Sequence, residues 1–323
     1  MTSAVVFAYH NVGARCLSTL IAHGVDVRLV FTHDDNPNET IWFDSVKALA
    51  EQHRIETISP ADPNTPESIE KIRDLAPDFI FSFYYRSMLG APLLAIPQRG
   101  ALNIHGSLLP KYRGRVPVNW AVIRGETETG ATLHYMVEKP DAGNIVAQRS
   151  VPIGPDETAF DVFVKITDTA AANLDDALPA LIRGDAPSTP QDLRQGSYFG
   201  GRKPEDGRID WSNSSQEIHN LVRGVAPPYP GAFFTLHGKN IRLLRTKQSL
   251  ERRMALGHPV DTGSPGIILA RNDAAPMLNA LCGDGLLLQL LEVEVDGERV
   301  DADRFYALFG VQSHAQKIPF DPT

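Results

Sequence analysis

Short apolar runs and helical periodicities take turns along the first half of the chain. Ala4–Tyr9, Val27–Thr32, Asp78–Phe83 and Gly100–Ile104 are each rich in Val, Ile, Phe or Leu, as strands buried on both faces are. Helices are predicted between them at Gly13–His23, Phe43–His53 and Pro66–Leu75, the last with Thr65 as cap and Pro66 in the first turn. Such alternation predicts an α/β fold with a doubly wound parallel sheet, whose ligands bind at the carboxyl ends of the strands. The positions of interest are therefore those after Phe7, Thr32, Phe83 and Ile104.

Ala131–Met136 and Ile145–Ile153 add two strands around the turn Pro140-Asp141-Ala142-Gly143. A long helix is predicted over Thr158–Arg183, ended by Gly184, and Pro187-Ser188-Thr189-Pro190 has linker chemistry. Beyond about Asp210 the texture changes. Ser214–Val225 carries Ile218, Leu221, Val222 and Val225 on one helical face. Five short strands follow, at Ala232–His237, Asn240–Arg245, Gly266–Ala270, Met277–Cys282 and Leu286–Val293. They predict a small β-rich, barrel-like domain. The polar, Gly- and Pro-bearing stretch Leu250–Ser264 is expected to be a loop. The expected domains are residues 1–190 and 205–315.

Composition narrows the classes. Hydrophobic residues at 42% and charged residues at 22% are an ordinary globular balance. No run of about 18 apolar residues is present, so no spanning helix is expected. The start, Met1-Thr2-Ser3-Ala4-Val5-Val6-Phe7, has no basic leader, so no signal peptide is expected. Cys16 and Cys282 are too few for a disulfide framework or a cysteine metal site, and a cytoplasmic location is expected. The net charge of −8 argues against a general nucleic-acid binder. Ala8-Tyr9-His10-Asn11-Val12-Gly13 has one glycine and cannot make a dinucleotide phosphate turn, and neither a Walker loop nor G-x-S-x-G occurs.

The chemistry-bearing stretch runs Leu102-Asn103-Ile104-His105-Gly106-Ser107-Leu108-Leu109-Pro110-Lys111-Tyr112-Arg113-Gly114-Arg115. Asn103 and His105 alternate with Leu102 and Ile104, so both point to one face of a predicted central strand. An amide and an imidazole at the ligand edge of a parallel sheet, followed by a Gly-Ser turn and a basic loop, mark a functional site. A hydrogen-bonded core pair is the bland alternative. Asp141, alone only a turn aspartate, gains meaning as a partner for His105. No His/Asp/Glu cluster with metal-ligand spacing is evident, and no metal is expected.

The Asn-Ile-His-Gly-Ser-Leu-Leu-Pro run with the later Asp141-Ala142-Gly143 resembles the signature of the folate-dependent formyltransferases. The likeness extends through Val5–His10, Phe31-Thr32-His33 with Asn36-Pro37, Phe81–Arg86, Gly125–Gly130, Ile145–Gln148, Arg223 and Tyr229–Phe233. It is strongest toward the branch that formylates UDP-4-amino-4-deoxy-L-arabinose in lipid A modification and polymyxin resistance. There the domain is one half of a bifunctional enzyme, and this chain is expected to stand without the decarboxylase half. The resemblance implies 10-formyltetrahydrofolate as formyl donor and residues 1–190 as the catalytic domain. Asn103 would stabilise the oxyanion, His105 would serve as acid, and Asp141 would raise the histidine's pKa. Ser87, Met88, Leu89, Arg115 and the run Val137, Glu138, Lys139, Pro140 and Asp141 would hold the folate.

An amino-sugar nucleotide, the methionyl end of an initiator tRNA, and folate binding without turnover remain as alternatives. The formyltransferases acting on tRNA resemble one another in a basic insertion after the second strand. Here that loop reads Thr32-His33-Asp34-Asp35-Asn36-Pro37-Asn38-Glu39-Thr40, without Lys or Arg, and would repel phosphate. A small-molecule sugar nucleotide is the expected partner, with neither nucleic acid nor membrane. Lys111, Arg113 and Arg115 are candidates for its diphosphate, and Tyr112 and Tyr229 for stacking. Trp120, on a predicted helix, is expected to be core. The oligomeric state is not legible.

Overall fold

The computed structural model describes residues 1–35, 41–252, 266–271, 276–310 and 317–320. The expected loop Leu250–Ser264 lies outside the described residues beyond Arg252, as does the end of the acidic loop at residues 36–40. The chain divides into two compact units. The first gathers Met1–Val118, Glu128–Pro152 and Val162–Gly201, and the second Asn119–Thr127, Ile153–Asp161 and Arg202–Thr323.

In chain order the elements begin β1 (Ser3–Ala8), α1 (His10–Ala22), β2 (Asp26–Phe31), α2 (Val46–Gln52), β3 (Thr57–Ile58), α3 (Pro66–Leu75) and β4 (Phe79–Phe83). They continue α4 (Ala91–Leu94), β5 (Ala101–His105), β6 (Arg113–Gly114), α5 (Pro117–Ile123), β7 (Glu128–Tyr135), β8 (Ile145–Pro152), α6 (Ala159–Arg183) and β9 (Tyr198–Phe199). The first unit's main sheet runs β3-β2-β1-β4-β5-β7-β8. The first five strands are parallel, as the α/β doubly wound expectation requires, and β7 and β8 extend the sheet antiparallel.

Every residue of β1 is buried, since the strand lies between β2 and β4 with layers on both faces. Phe7 stacks on Phe31 at 4.3 Å between ring centres. Val5, Leu29, Ile72, Ile80, Leu89 and Leu93 join them in one core cluster, with Met136 packed against it. α3 starts as expected: Thr65 Oγ1 accepts from Ser68 N–H and Pro66 opens the first turn. The chain leaves β1 and β4 through left-handed residues, His10 (φ 67°) and Tyr84 (φ 56°). Non-glycine residues there are strained and concentrate at functional edges.

The segment expected as a linker is instead part of the first unit. Thr189 exchanges both backbone hydrogen bonds with Ile145, each at 2.8 Å. Two neighbouring backbone groups satisfied at once hold an otherwise Pro-rich stretch in place.

The second unit contains α7 (Ser215–Val225), β10 (Ala232–Leu236), β11 (Lys239–Arg252), β12 (Gly266–Arg271), β13 (Pro276–Leu281), β14 (Leu286–Val295), β15 (Glu298–Val300), α8 (Ala302–Leu308) and β16 (Lys317–Pro319). Its antiparallel sheet runs β10-β11-β14-β13-β12-β16, with β15 on β14. This is the expected β-rich domain. Ser214 and Glu217 form a reciprocal capping box on α7. The apolar face of that helix, with Ile218 and Val222, enters a core shared with Trp211, Phe234, Ile241 and Leu288. Tyr229 is half-buried and packs against the same core, and burial pushes its hydroxyl up to about 12.

Candidate active site

Strand register assembles the site within the first unit. Asn103 on β5 stands opposite Ser82 on β4 and opposite His134 on β7; His105 stands opposite Thr132. Asn103 and His105, two residues apart, therefore emerge on one face at the carboxyl end of β5.

Asn103 Nδ2 lies 3.1 Å from His134 Nε2. His134 Nδ1 lies 2.8 Å from the Tyr135 carbonyl, which can only accept. Nδ1 therefore carries the ring proton and Nε2 accepts from the Asn103 amide. Burial pulls the His134 pKa down to about 4; Asp141 opposes that shift and His105 adds to it. His134 is thus a neutral acceptor at ordinary pH, and it fixes which way the Asn103 amide points.

His105 is buried, and its Nε2 lies 2.7 Å from the Tyr112 carbonyl. That contact makes Nε2 the protonated nitrogen. Its Nδ1 faces Asp141 Oδ1 at 3.6 Å, and the same oxygen stands 3.6 Å from His134 Nε2. The second Asp141 oxygen accepts from the Gly114 N–H at 2.8 Å. Asp141 adopts φ 51°. Gln191 Nε2 holds this turn by donating to the Asp141 carbonyl at 3.1 Å and the Gly143 carbonyl at 2.6 Å. Gly114, at φ 101°, lies against the Phe199 carbonyl, where a Cβ has no room.

The three predicted catalytic residues are therefore together. Of the segments expected to hold the folate, the Ser87–Leu89 loop is anchored by Leu89, buried in the first unit's core cluster, and Val137–Asp141 follows Met136, which packs against that cluster. Asn64 accepts from Gly90 N–H at 2.7 Å and donates to the Met88 carbonyl at 3.0 Å, pinning the loop. Arg115 Nη2 reaches the Arg86 carbonyl at 3.2 Å. Met88 and Val137 expose apolar side chains at 58% and 46%, enough to offer a flat ring a surface. Glu138 and Lys139 are exposed, and Ser87 and Pro140 half-buried.

Two expectations change. The Tyr112 ring stacks on Phe199 at 5.2 Å between centres and is buried, so it is not free to stack on a base or pterin. Trp120, expected in the core, is half-buried, with the Arg202 guanidinium over its ring at 4.7 Å. Sequence reasoning passed over His134 and Gln191. The signal for His134 was available: it is a polar residue inside the strand-like run Ala131–Met136, where its neighbour Leu133 is core.

Residues 6–178 match the family model described as Formyl transferase, and residues 202–309 the one described as Formyl transferase, C-terminal domain. Among solved structures, the chain is similar to the N-formyltransferase from Helicobacter canadensis in complex with folinic acid and dTDP-3-aminofucose. The TM-score is 0.68 at 17% identity, covering 93% of this chain and 100% of that one. It is also similar to WlaRD, a sugar 3N-formyl transferase solved in the presence of dTDP and 5-N-formyl-THF, with TM-score 0.66 at 17% identity over 93% of this chain and 98% of that one. A variant of HypX from Aquifex aeolicus gives TM-score 0.58 at 21% identity over 100% of this chain but only 49% of its own length. At such identities the likeness is one of fold. The first family model spans more than half of the residues, and on that ground the chain belongs to the formyl transferase family and is a folate-dependent formyltransferase.

Proposed function

We propose that this chain transfers the formyl group of 10-formyltetrahydrofolate to the amine of a sugar nucleotide, UDP-4-amino-4-deoxy-L-arabinose, in the cytoplasm and in the service of lipid A modification. The catalysis is carried by residues 1–190 and the β-rich domain by 205–315. The observation that carries the catalytic assignment is the placing of Asp141 Oδ1 3.6 Å from the Nδ1 of His105, beside an oriented Asn103 amide.

The acceptor amine attacks the formyl carbon and a tetrahedral oxyanion develops. The Asn103 amide, held by His134, donates to that oxygen, a contribution of roughly 3–4 kcal/mol for one well-placed donor. The attacking amine loses a proton and the folate nitrogen gains one. His105 handles this proton at Nδ1, because Nε2 is committed to the Tyr112 carbonyl. A proton arriving on Nδ1 is met by the Asp141 carboxylate. The Ser87–Leu89 loop, Arg115 and Val137–Asp141 hold the folate, with Met88 and Val137 supplying apolar surface.

Three observations support a sugar nucleotide as acceptor. Asp34 and Asp35 are exposed after β2, where an RNA backbone would meet repulsion. The net charge is −8. Two proteins of similar fold were solved, one in complex with dTDP-3-aminofucose and one in the presence of dTDP. The sequence resemblance selects UDP and the arabinose amine. The test is an acceptor panel of UDP- and dTDP-linked amino sugars assayed with 10-formyltetrahydrofolate. UDP-4-amino-4-deoxy-L-arabinose is expected to give the highest kcat/KM; a dTDP-linked sugar turning over faster would overturn the nucleotide and sugar assignment.

A further inference from the structure

Arg113 presents a buried guanidinium without a carboxylate partner among the described residues. The residue is only 8% exposed. Its Nε is buried with no hydrogen-bond partner, and among the described residues no carboxylate lies within ion-pair distance of the guanidinium. Burying a cation without a counter-charge is among the costlier choices a fold can make. The backbone leaves it no easy escape. Arg113 N–H donates to the Ser197 carbonyl at 3.0 Å and Arg115 N–H to the Phe199 carbonyl at 2.9 Å, so β6 is stapled on both sides of the residue. Gly114, the next residue, is fixed by Phe199 on one side and by Asp141 on the other.

The two other cations of this loop behave differently. Lys111 and Arg115 are exposed, and Arg115 is turned to the Arg86 carbonyl. Of the three, Arg113 alone combines burial with the lack of a carboxylate partner among the described residues.

Resting on the sugar-nucleotide reading above, we propose that Arg113 is the binding residue for the diphosphate of the acceptor. Both substrates of the reaction carry anions. The glutamate carboxylates of a folate sit at its terminus and can remain in water. A diphosphate sits in the middle of its ligand, with sugar on one side and nucleoside on the other, and must be desolvated when both ends are bound. A preformed, largely buried guanidinium suits that anion, since charge-assisted hydrogen bonds to phosphate are the strong ones. Position 113 also adjoins Gly114, whose N–H holds Asp141 at 2.8 Å. The residue is thereby a direct chain neighbour of the turn that holds Asp141.

The test uses the full chain and calorimetric titration with UDP, dTDP, inorganic pyrophosphate and 5-formyltetrahydrofolate. Arg113→Met and Arg113→Gln are expected to weaken UDP binding by roughly ten- to a hundredfold, with Arg113→Lys between them and wild type. Folate binding should stay within about twofold. Because no carboxylate among the described residues pairs with the charge, Arg113→Met should also melt at or above the wild-type temperature without ligand. A large fall in that temperature with UDP affinity retained by Arg113→Lys and Arg113→Gln alike would mean a structural arginine and overturn the inference. Weakened folate binding with UDP binding intact would transfer the residue to the folate carboxylates and overturn it equally. Wild type binding none of the diphosphate probes would overturn the sugar-nucleotide reading first, and this inference with it.

Discussion

Asn103 Nδ2 and His134 Nε2 are 3.1 Å apart, across the one antiparallel junction between β5 and β7. The contact ties an amide at the ligand edge of the sheet to a buried, neutral imidazole. An asparagine side chain rotates freely about its last bond unless something fixes it, and an oxyanion donor is useful only when it is already aimed. His134→Ala is expected to lower kcat by about tenfold or more with substrate KM values little changed, as loss of transition-state alignment requires. Steady-state kinetics with both substrates check this. A pure KM effect would show that His134 shapes binding instead.

Asn103→Ala and His105→Ala should each lower turnover by at least about a hundredfold. Folate affinity, measured by direct titration, should be nearly unchanged, because neither side chain belongs to the segments assigned to the folate. Near-normal turnover in either variant would remove that residue from the mechanism.

Asp141 serves two partners, and substitutions separate them. Its Oδ1 faces His105, and its Oδ2 holds the Gly114 N–H. Asp141→Asn keeps an oxygen for Gly114 but removes the charge, so turnover should fall while folate affinity holds. Asp141→Ala releases the Gly114 N–H as well, leaving residues 113–115 less constrained, so folate affinity should weaken too. Equal folate affinities in the two variants would mean that the contact to Gly114 does not position Arg115.

How the sheet was put together decides what the sequence revealed. Asn103 and His105 are legible because period-two alternation sets two polar groups on one face of an apolar strand. The turn chemistry around Asp141 marks only a turn, and its role beside His105 is legible through the resemblance to the family. His134 is different: its meaning depends on β7 pairing antiparallel with β5 in one register, a long-range fact that periodicity does not carry. The Tyr112 carbonyl that fixes the His105 proton is a backbone group, invisible in any residue pattern. The Pro187–Pro190 stretch has every mark of a linker, yet Thr189 is bonded to Ile145 and Gln191 closes the Asp141 turn. Local chemistry identified a loop there, and only tertiary pairing shows that it supports the site.

His134 also predicts a pH dependence of stability. In the unfolded chain the ring takes up its proton near the usual 6.5, and in the fold only near about 4. Between those values the unfolded state binds more protons, so stability rises with pH from about 4 to 6.5 and the contribution is constant above. Denaturant titrations across that window should show a shallower slope for His134→Asn than for the wild type. Identical slopes would mean that the ring is protonated in the folded protein.

The central claim, formyl transfer to a sugar amine in preference to an RNA end, is tested most directly by competition. The enzyme receives 10-formyltetrahydrofolate, UDP-4-amino-4-deoxy-L-arabinose and charged initiator methionyl-tRNA together, and labelled formyl is followed into both acceptors. The predicted result is label in the sugar nucleotide, none above background in the tRNA, and loss of the sugar signal in Asn103→Ala. Efficient formylation of the tRNA, or no transfer to any sugar nucleotide, would contradict it.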